Sequence, residues 1–125
     1  MIVGIGTDLV TLSRVARVHT RFGERFAHRV LHPNEFSAYR AHAEPARFLA
    51  KRFAVKEAAV KALGTGERDG VLLRDFYVTH DALGKPSLEV SGEGATRCRQ
   101  LGVTARHVSL SDEGDLVTAF VVLER

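Results

Sequence analysis

The chain contains very little of several residue types that define whole classes of protein. Among its 125 residues there is one cysteine, Cys98, and no tryptophan. A single cysteine excludes an internal disulfide framework, and we interpret Cys98 as a reduced, packed thiol in a cytoplasmic protein. There is also no apolar run long enough to cross a bilayer and no segment that resembles a signal peptide, so we expect no membrane association.

Length and net charge limit the number of domains and the kinds of partner that we expect. At 125 residues we expect one domain, 1–125, with a core of its own. The net charge of +3 permits an acidic partner: nucleic acid, an acidic protein or a polyphosphate. A nucleic-acid-binding module usually interleaves aromatic and basic residues on a sheet face. With two tyrosines, and with seven phenylalanines mostly at core spacing, the chain does not favour that alternative.

Helical patterns come early in the chain and strand patterns come late. We predict a strand at 2–9, a helix of about 13 residues with Ser13 as N-cap, and a long helix at 46–63 that Gly64 ends. Further strands are predicted at 71–81, 87–91, 107–111 and 116–123, and a short helix at 94–101. The last strand is almost wholly apolar, as in a strand buried on both faces. This order predicts an α+β fold, with a mainly antiparallel sheet packed against a long helix.

The long helix carries the residues that favour a chemical function. Its Glu57 lies four residues before Lys61, and by itself such a pair is an ordinary salt bridge on one helix face. Arg52 and Lys56 add two more cations, and Asp8 ends the first strand with a second carboxylate. Magnesium usually binds through one or two carboxylates together with substrate phosphates. The residues therefore indicate magnesium-dependent phosphate chemistry.

A second feature is a basic stripe on the first helix, formed by Arg14, Arg17, Arg21 and Arg25. Its spacing of 3, 4 and 4 places these residues on one helix face, and no acidic residue is interleaved before Glu24. A solvated polar face would usually alternate the sign of its charges, whereas a surface that binds an acidic partner would not. Both interpretations remain open at this level. For the two carboxylates, a magnesium-dependent phosphoesterase is an open alternative as well.

Several segments resemble one known family. Residues 4–10, 48–66, 84–86, 107–111 and 119–124 resemble, in order and spacing, the holo-acyl-carrier-protein synthase family, the small bacterial 4′-phosphopantetheinyl transferases. The resemblance covers almost the whole chain and implies that family's fold. It also implies transfer of the phosphopantetheine arm of coenzyme A to a serine of acyl carrier protein, with release of adenosine 3′,5′-bisphosphate. Whether the carrier serves fatty-acid or polyketide synthesis is left open.

The resemblance also implies functions for particular residues. Asp8 and Glu57 would hold Mg²⁺, and Lys61 would contact the pyrophosphate. The proton of the carrier serine could go to Glu57, to Asp8 or to a metal-bound water, and the sequence does not choose among them. At the nucleotide end, Arg52 and His107 would meet the phosphates, the loop containing Lys85 and Pro86 would lie beside adenine, and Gly64 would let the backbone approach the ligand.

The same resemblance implies two kinds of protein contact. The acidic carrier protein would dock on the first long helix, at Arg14 and Arg21 and also at Arg17 and Arg25. The family is a homotrimer with each active site at a subunit interface. Asp8 and Glu57 would then meet in one protomer, while His107 or the loop at Gly84 would come from its neighbour.

Overall fold

The computed structural model describes residues 1–66 and 68–125, and its elements follow the predicted α+β order. The strands are β1 (Ile2–Thr11), β2 (Phe76–His80), β3 (Pro86–Val90), β4 (Ala105–Glu113) and β5 (Leu116–Glu124). The helices are α1 (Leu12–Phe22), α2 (Glu24–Val30), α3 (Phe36–Ala41), α4 (Pro45–Leu63) and α5 (Gly92–Gln100). Two short 3-10 helices cover Pro33–Glu35 and Leu73–Asp75.

Every strand pairing in the described part of the chain is antiparallel. β5 lies between β1 and β4 in a three-stranded sheet, and β2 and β3 form a separate hairpin. The long helix α4 packs across β1 and β5 and carries much of the buried core. The predicted mainly antiparallel sheet against a long helix is therefore confirmed.

The first predicted helix is in fact two helices. Gly23, with φ of 58°, separates α1 from α2, so Arg25 lies on α2 rather than on the same helix as Arg14. The prediction of Ser13 as N-cap is wrong, because Thr11 holds that position. Ser13 instead lies in the first turn, where its backbone N–H and Oγ donate to the Asp115 carboxylate at 2.9 and 2.7 Å. The helix start is thus stabilised from the β4–β5 turn rather than by its own cap.

Two predictions about strands also need correction. β2 begins only at Phe76, because Leu73–Asp75 winds into a 3-10 helix in which Asp75 accepts from the Leu72 backbone N–H at 3.0 Å. β5 is not buried on both faces. Helix α4 covers one face only, so Val121 is fully buried whereas Phe120 is 44% exposed. The outward face of this sheet therefore presents apolar side chains to the surroundings of the single chain.

Candidate active site

Helix α4 carries Glu57 and Lys61, two of the three predicted catalytic residues. Pro45 starts it at a position where a missing N–H costs nothing, and Gly64 ends it with φ of 79° in the left-handed region. Phe53, Glu57 and Lys61 follow one another at intervals of four, so they lie along one face of the helix. Glu57 is half-buried and Lys61 is exposed.

Strand β1 brings Asp8 to this helix face through a close backbone approach. Gly6 lies against the α4 backbone so tightly that a Cβ atom there would be 1.9 Å from the carbonyl oxygen of Ala58. Asp8 shares the inward face of β1 with Gly6, which is two residues before it. Its Oδ1 accepts a hydrogen bond from Lys61 Nζ at 3.0 Å, and Lys61 also donates to the Thr7 carbonyl oxygen at 3.0 Å. The Asp8 side chain is 15% exposed and that of Lys61 55%, so the pair lies at the mouth of the site.

Two cavities meet at Glu57. The first, the Asp8 cavity, has about 370 Å³ and lies between β1, α1 and α4; its lining includes Asp8, Arg14, Val18, Phe26, Phe53 and Glu57. The second, the Arg74 cavity, has about 510 Å³ and is lined by Phe26, Arg29, Val30, Phe53, Glu57, Leu72, Leu73 and Arg74. Because Phe26, Phe53 and Glu57 belong to both, the two cavities adjoin along that shared wall.

Lys56 was one of the cations that favoured phosphate chemistry, but it lies in the core. Lys56 is completely buried, donates to the Val30 carbonyl oxygen at 2.7 Å, and forms an ion pair with the buried Glu35 carboxylate. Burial lowers the pKa of Lys56 to about 8 against the opposing effect of Glu35. Glu35 also accepts from the backbone N–H groups of His32 and Val78 at 3.0 and 3.1 Å. Lys56 and Glu35 therefore tie α4 to its neighbouring segments and do not face a substrate.

Arg52 lies apart from Glu57. Five residues separate the two, which turns their side chains about 140° from each other around the helix. Arg52 is 9% exposed, stacks over the Phe48 ring at 4.5 Å, and has its Nε 3.3 Å from Glu35 Oε2 without hydrogen-bond geometry. Burial lowers its pKa, while Glu35 acts in the opposite direction. It lines a separate cavity of about 310 Å³ together with His42, Lys51 and His80.

The other residues predicted for nucleotide binding also lie outside the two cavities at Glu57. His107 lies on the outward face of the sheet, and its Nε2 is 2.9 Å from Glu124 Oε1. The hydrogen bond between these two side chains lowers the pKa of Glu124. Lys85 is exposed beside Pro86 at the β2–β3 turn, which Asp81 closes by accepting from the backbone N–H groups of Leu83 and Lys85. In the single chain these groups and Glu57 do not line a common cavity.

The basic stripe is exposed, and only part of it adjoins the carboxylates. Arg14 lines the Asp8 cavity. Arg21 and Arg25 hold their guanidinium carbons 5.2 and 5.9 Å from the ring centre of Phe22, and Arg17 is exposed. The sequence interpretation did not include Arg29 and Arg74. Arg29 follows Arg25 by four residues and so carried a detectable signal, whereas nothing in the local pattern indicated Arg74.

The Asp8 cavity suits a hard divalent cation that is bound together with phosphate. The described residues contain no cluster of three or more His, Cys, Asp or Glu side chains of the kind that encloses a metal ion. Two carboxylates, Asp8 and Glu57, line the same cavity, and magnesium commonly takes one or two carboxylates and completes its shell with water and phosphate oxygens. The donor set therefore fits magnesium and leaves coordination positions for a substrate.

Comparison with known proteins identifies relatives over the whole length of the chain. The model of the 4′-phosphopantetheinyl transferase superfamily matches residues 4–121. The holo-[acyl-carrier-protein] synthase of Photorhabdus laumondii is 52% identical over 124 residues, which cover 99% of this chain and 98% of that protein.

In the described part of the chain, no helix combines the length and the apolar character that crossing a membrane requires.

Solved structures agree with the sequence relatives. The crystal structure of holo-[acyl-carrier-protein] synthase from Neisseria meningitidis superposes with a TM-score of 0.93 at 45% identity, covering 100% of both chains. That of Bacillus anthracis, solved in complex with coenzyme A (3′,5′-ADP), superposes with a TM-score of 0.81 at 35% identity, covering 98% of this chain and 96% of that one.

Proposed function

The chain belongs to the 4′-phosphopantetheinyl transferase superfamily and is an enzyme of the holo-[acyl-carrier-protein] synthase type, and we propose that it uses magnesium to move the phosphopantetheine arm of coenzyme A onto a serine of apo acyl carrier protein. The second product is adenosine 3′,5′-bisphosphate. The observation that carries this proposal is the Asp8 cavity, which two carboxylates from separate elements line and where Lys61 contacts Asp8. Coenzyme A is bound in a solved relative, which supports it as the substrate.

Asp8 and Glu57 are the residues that would hold Mg²⁺. When bound, the metal would polarise the phosphate that is transferred and neutralise charge on the leaving bisphosphate. Lys61 stands beside Asp8 with its side chain more than half exposed, so its ammonium group can turn from the Asp8 carboxylate to the pyrophosphate. There it would offset negative charge that develops as the phosphate leaves.

The serine hydroxyl must lose a proton as its oxygen attacks phosphorus. The chain offers two carboxylates at the proposed site, Asp8 and Glu57, and both line the Asp8 cavity. A carboxylate that binds a cation is a weaker base, so the carboxylate with the weaker metal contact is the better acceptor. The serine oxygen forms the new bond to phosphorus while the bond from phosphorus to the bisphosphate oxygen breaks, which leaves phosphopantetheine on the carrier.

We also propose a homotrimer in which each active site lies between two protomers. The outward face of the three-stranded sheet presents apolar side chains that are 44 to 65% exposed in the single chain: Ile5, Leu9, Leu116 and Phe120. His107 projects from the same face, because it pairs with Val122, which in turn pairs with Ile5. Covering this face with a second copy would bury the apolar surface and bring the partner's His107 towards the bound nucleotide. Arg52, Gly64, Lys85 and Pro86 remain proposed contacts of that nucleotide.

Mixed oligomers test the shared site. Glu57→Ala and His107→Ala chains, each of low activity alone, are co-expressed and purified together. If a site takes Glu57 from one protomer and His107 from its neighbour, random mixing restores about a quarter of the wild-type activity, because only sites with both residues intact work. No recovery in mixed trimers, or a monomeric protein by light scattering, would contradict the arrangement.

The function itself is tested by intact mass. Apo acyl carrier protein is incubated with this protein, coenzyme A and Mg²⁺, and we expect the carrier to gain the mass of one phosphopantetheine. The gain should disappear in EDTA and return with added Mg²⁺. If several apo carriers gain no mass while coenzyme A is hydrolysed without them, the enzyme is a phosphoesterase and the transferase proposal fails.

A cytoplasmic location, where coenzyme A and reduced thiols occur, is part of the same proposal.

A further inference from the structure

Two exposed arginines line the Arg74 cavity from different elements. Arg29 lies on α2 and Arg74 lies in the 3-10 helix Leu73–Asp75. Neither makes an ion pair with a carboxylate within the described ranges 1–66 and 68–125, whereas the exposed Arg40 nearby is paired with Glu24 at 2.9 Å. Two like charges on one cavity repel each other, and Glu57, the one carboxylate on the described lining, carries a single opposite charge. Both side chains are exposed, so an acidic partner can reach them.

The rest of the cavity is apolar apart from Glu57. Its other lining residues are Phe26, Val30, Phe53, Leu72 and Leu73. An apolar floor with a cationic rim is complementary to a protein surface in which an apolar side chain is flanked by acidic ones. A free nucleotide or phosphate would use the two guanidinium groups but would leave this apolar floor uncovered.

We propose that Arg29 and Arg74 form a second docking point for the acidic carrier protein, on the other side of Glu57 from Arg14. Arg14 lines the Asp8 cavity, and Arg29 and Arg74 line the Arg74 cavity, which shares its Glu57 wall with the first. Cations on α1, on α2 and in the 3-10 helix therefore flank the carboxylate towards which the carrier serine must be directed. This inference rests on the proposed function, because it takes its partner from that reaction.

The second docking point changes the predicted direction of the docking surface. The basic stripe would extend it along α1 through Arg17 and Arg21, which are not among the residues that line the two cavities at Glu57. With Arg29 and Arg74 included, the proposed surface extends across α2, where Arg25 and Arg29 border a groove that also contains Phe22 and Phe26. Contacts on two sides of Glu57 define an orientation of the carrier, which contacts along a single helix do not.

Charge reversal tests the docking point. We expect Arg29→Glu and Arg74→Glu each to raise the KM for apo carrier protein about tenfold, with the KM for coenzyme A unchanged, because like charges across an interface disfavour encounter. Arg14→Glu serves as the comparison on the first side, and Arg99→Glu, exposed on α5 and outside these cavities, is the matched control that we expect to behave as wild type. Added salt should slow the wild type more than the two variants.

A compensating change separates docking from a structural effect. Acidic residues that flank the carrier serine are replaced by lysine one at a time, and at least one such carrier should restore the activity of Arg74→Glu. Thermal unfolding of both variants should match the wild type. A raised KM for coenzyme A with an unchanged KM for carrier would overturn the inference and assign the arginines to the nucleotide. If the wild type modifies the carrier and the variants equal it, the inference alone fails; if the wild type modifies no carrier, the proposed function fails as well.

Discussion

Glu57→Gln is expected to reduce kcat by about a thousandfold, which corresponds to roughly 4 kcal/mol of lost transition-state stabilisation. The amide keeps the size of the side chain but removes the negative charge that a hard cation needs. Glu57 also stands where the Asp8 cavity and the Arg74 cavity meet, and it is the one carboxylate on α4, so no other side chain of that helix can replace its charge. The initial rate of phosphopantetheine transfer, followed by intact mass at saturating substrates, measures the effect.

The control for this variant is Glu93→Gln, which neutralises an exposed carboxylate in the first turn of α5. It should retain wild-type activity, and both variants should unfold at wild-type temperatures. A higher Mg²⁺ concentration should recover part of the lost activity in Glu57→Gln if the residue holds the metal. A decrease of less than tenfold, with no change in the Mg²⁺ requirement, would exclude Glu57 as a metal ligand.

Gly6→Ala should destabilise the protein by about 3 kcal/mol or more, because an added Cβ at this position meets backbone rather than side chain. It would lie 1.9 Å from the Ala58 carbonyl oxygen and 2.8 Å from the Ala62 nitrogen, and neither atom can rotate away. Relief requires β1 to move off α4, which also separates Asp8 from Lys61. For a domain of this size we expect the Tm to fall by about 10 °C or more, measured by calorimetry.

Gly114→Ala provides the matched comparison for Gly6→Ala. Gly114 lies in the β4–β5 turn with φ of 57°, and nothing lies within 4 Å of an added Cβ there. Its substitution therefore measures the cost of a left-handed conformation alone, about 1 to 2 kcal/mol. If Gly6→Ala proves no more destabilising than Gly114→Ala, then β1 and α4 are not packed as closely as the structure shows.

The local parts of the site were predictable, because local patterns determine them. The bounds of α4 follow from a segment of good helix formers between Pro45 and Gly64. The spacing of Glu57 and Lys61 then places both on one face. Antiparallel pairing followed from the order of the elements along the chain. The metal-binding and nucleotide-binding assignments drew on the family resemblance, and they stay predictions until the variants are measured.

The wrong predictions concern residues whose burial or hydrogen bonding depends on a segment far away in the sequence. Lys56 and Lys61 are equally plausible cations in the sequence of α4, but Lys56 is buried because Glu35, 21 residues earlier, supplies a carboxylate inside the core. The local sequence favours Ser13 as a helix cap, but Ser13 instead donates hydrogen bonds to Asp115, 102 residues later. In the same way β5 has the composition of a doubly covered strand, yet α4 covers only one of its faces.

By itself the sequence determined the element types, the main helix and its end, the two carboxylates with Lys61, and the family. Those features depend on residue identity and on spacings within a few turns or strands, which are local properties of the chain. Only the tertiary structure decided that Asp8 and Glu57 line one cavity, that Arg52 faces another, and that Arg29 and Arg74 converge beside Glu57. Such juxtapositions depend on how elements far apart in sequence pack together, and that packing is set by non-local burial and backbone approach, as at Gly6 against Ala58.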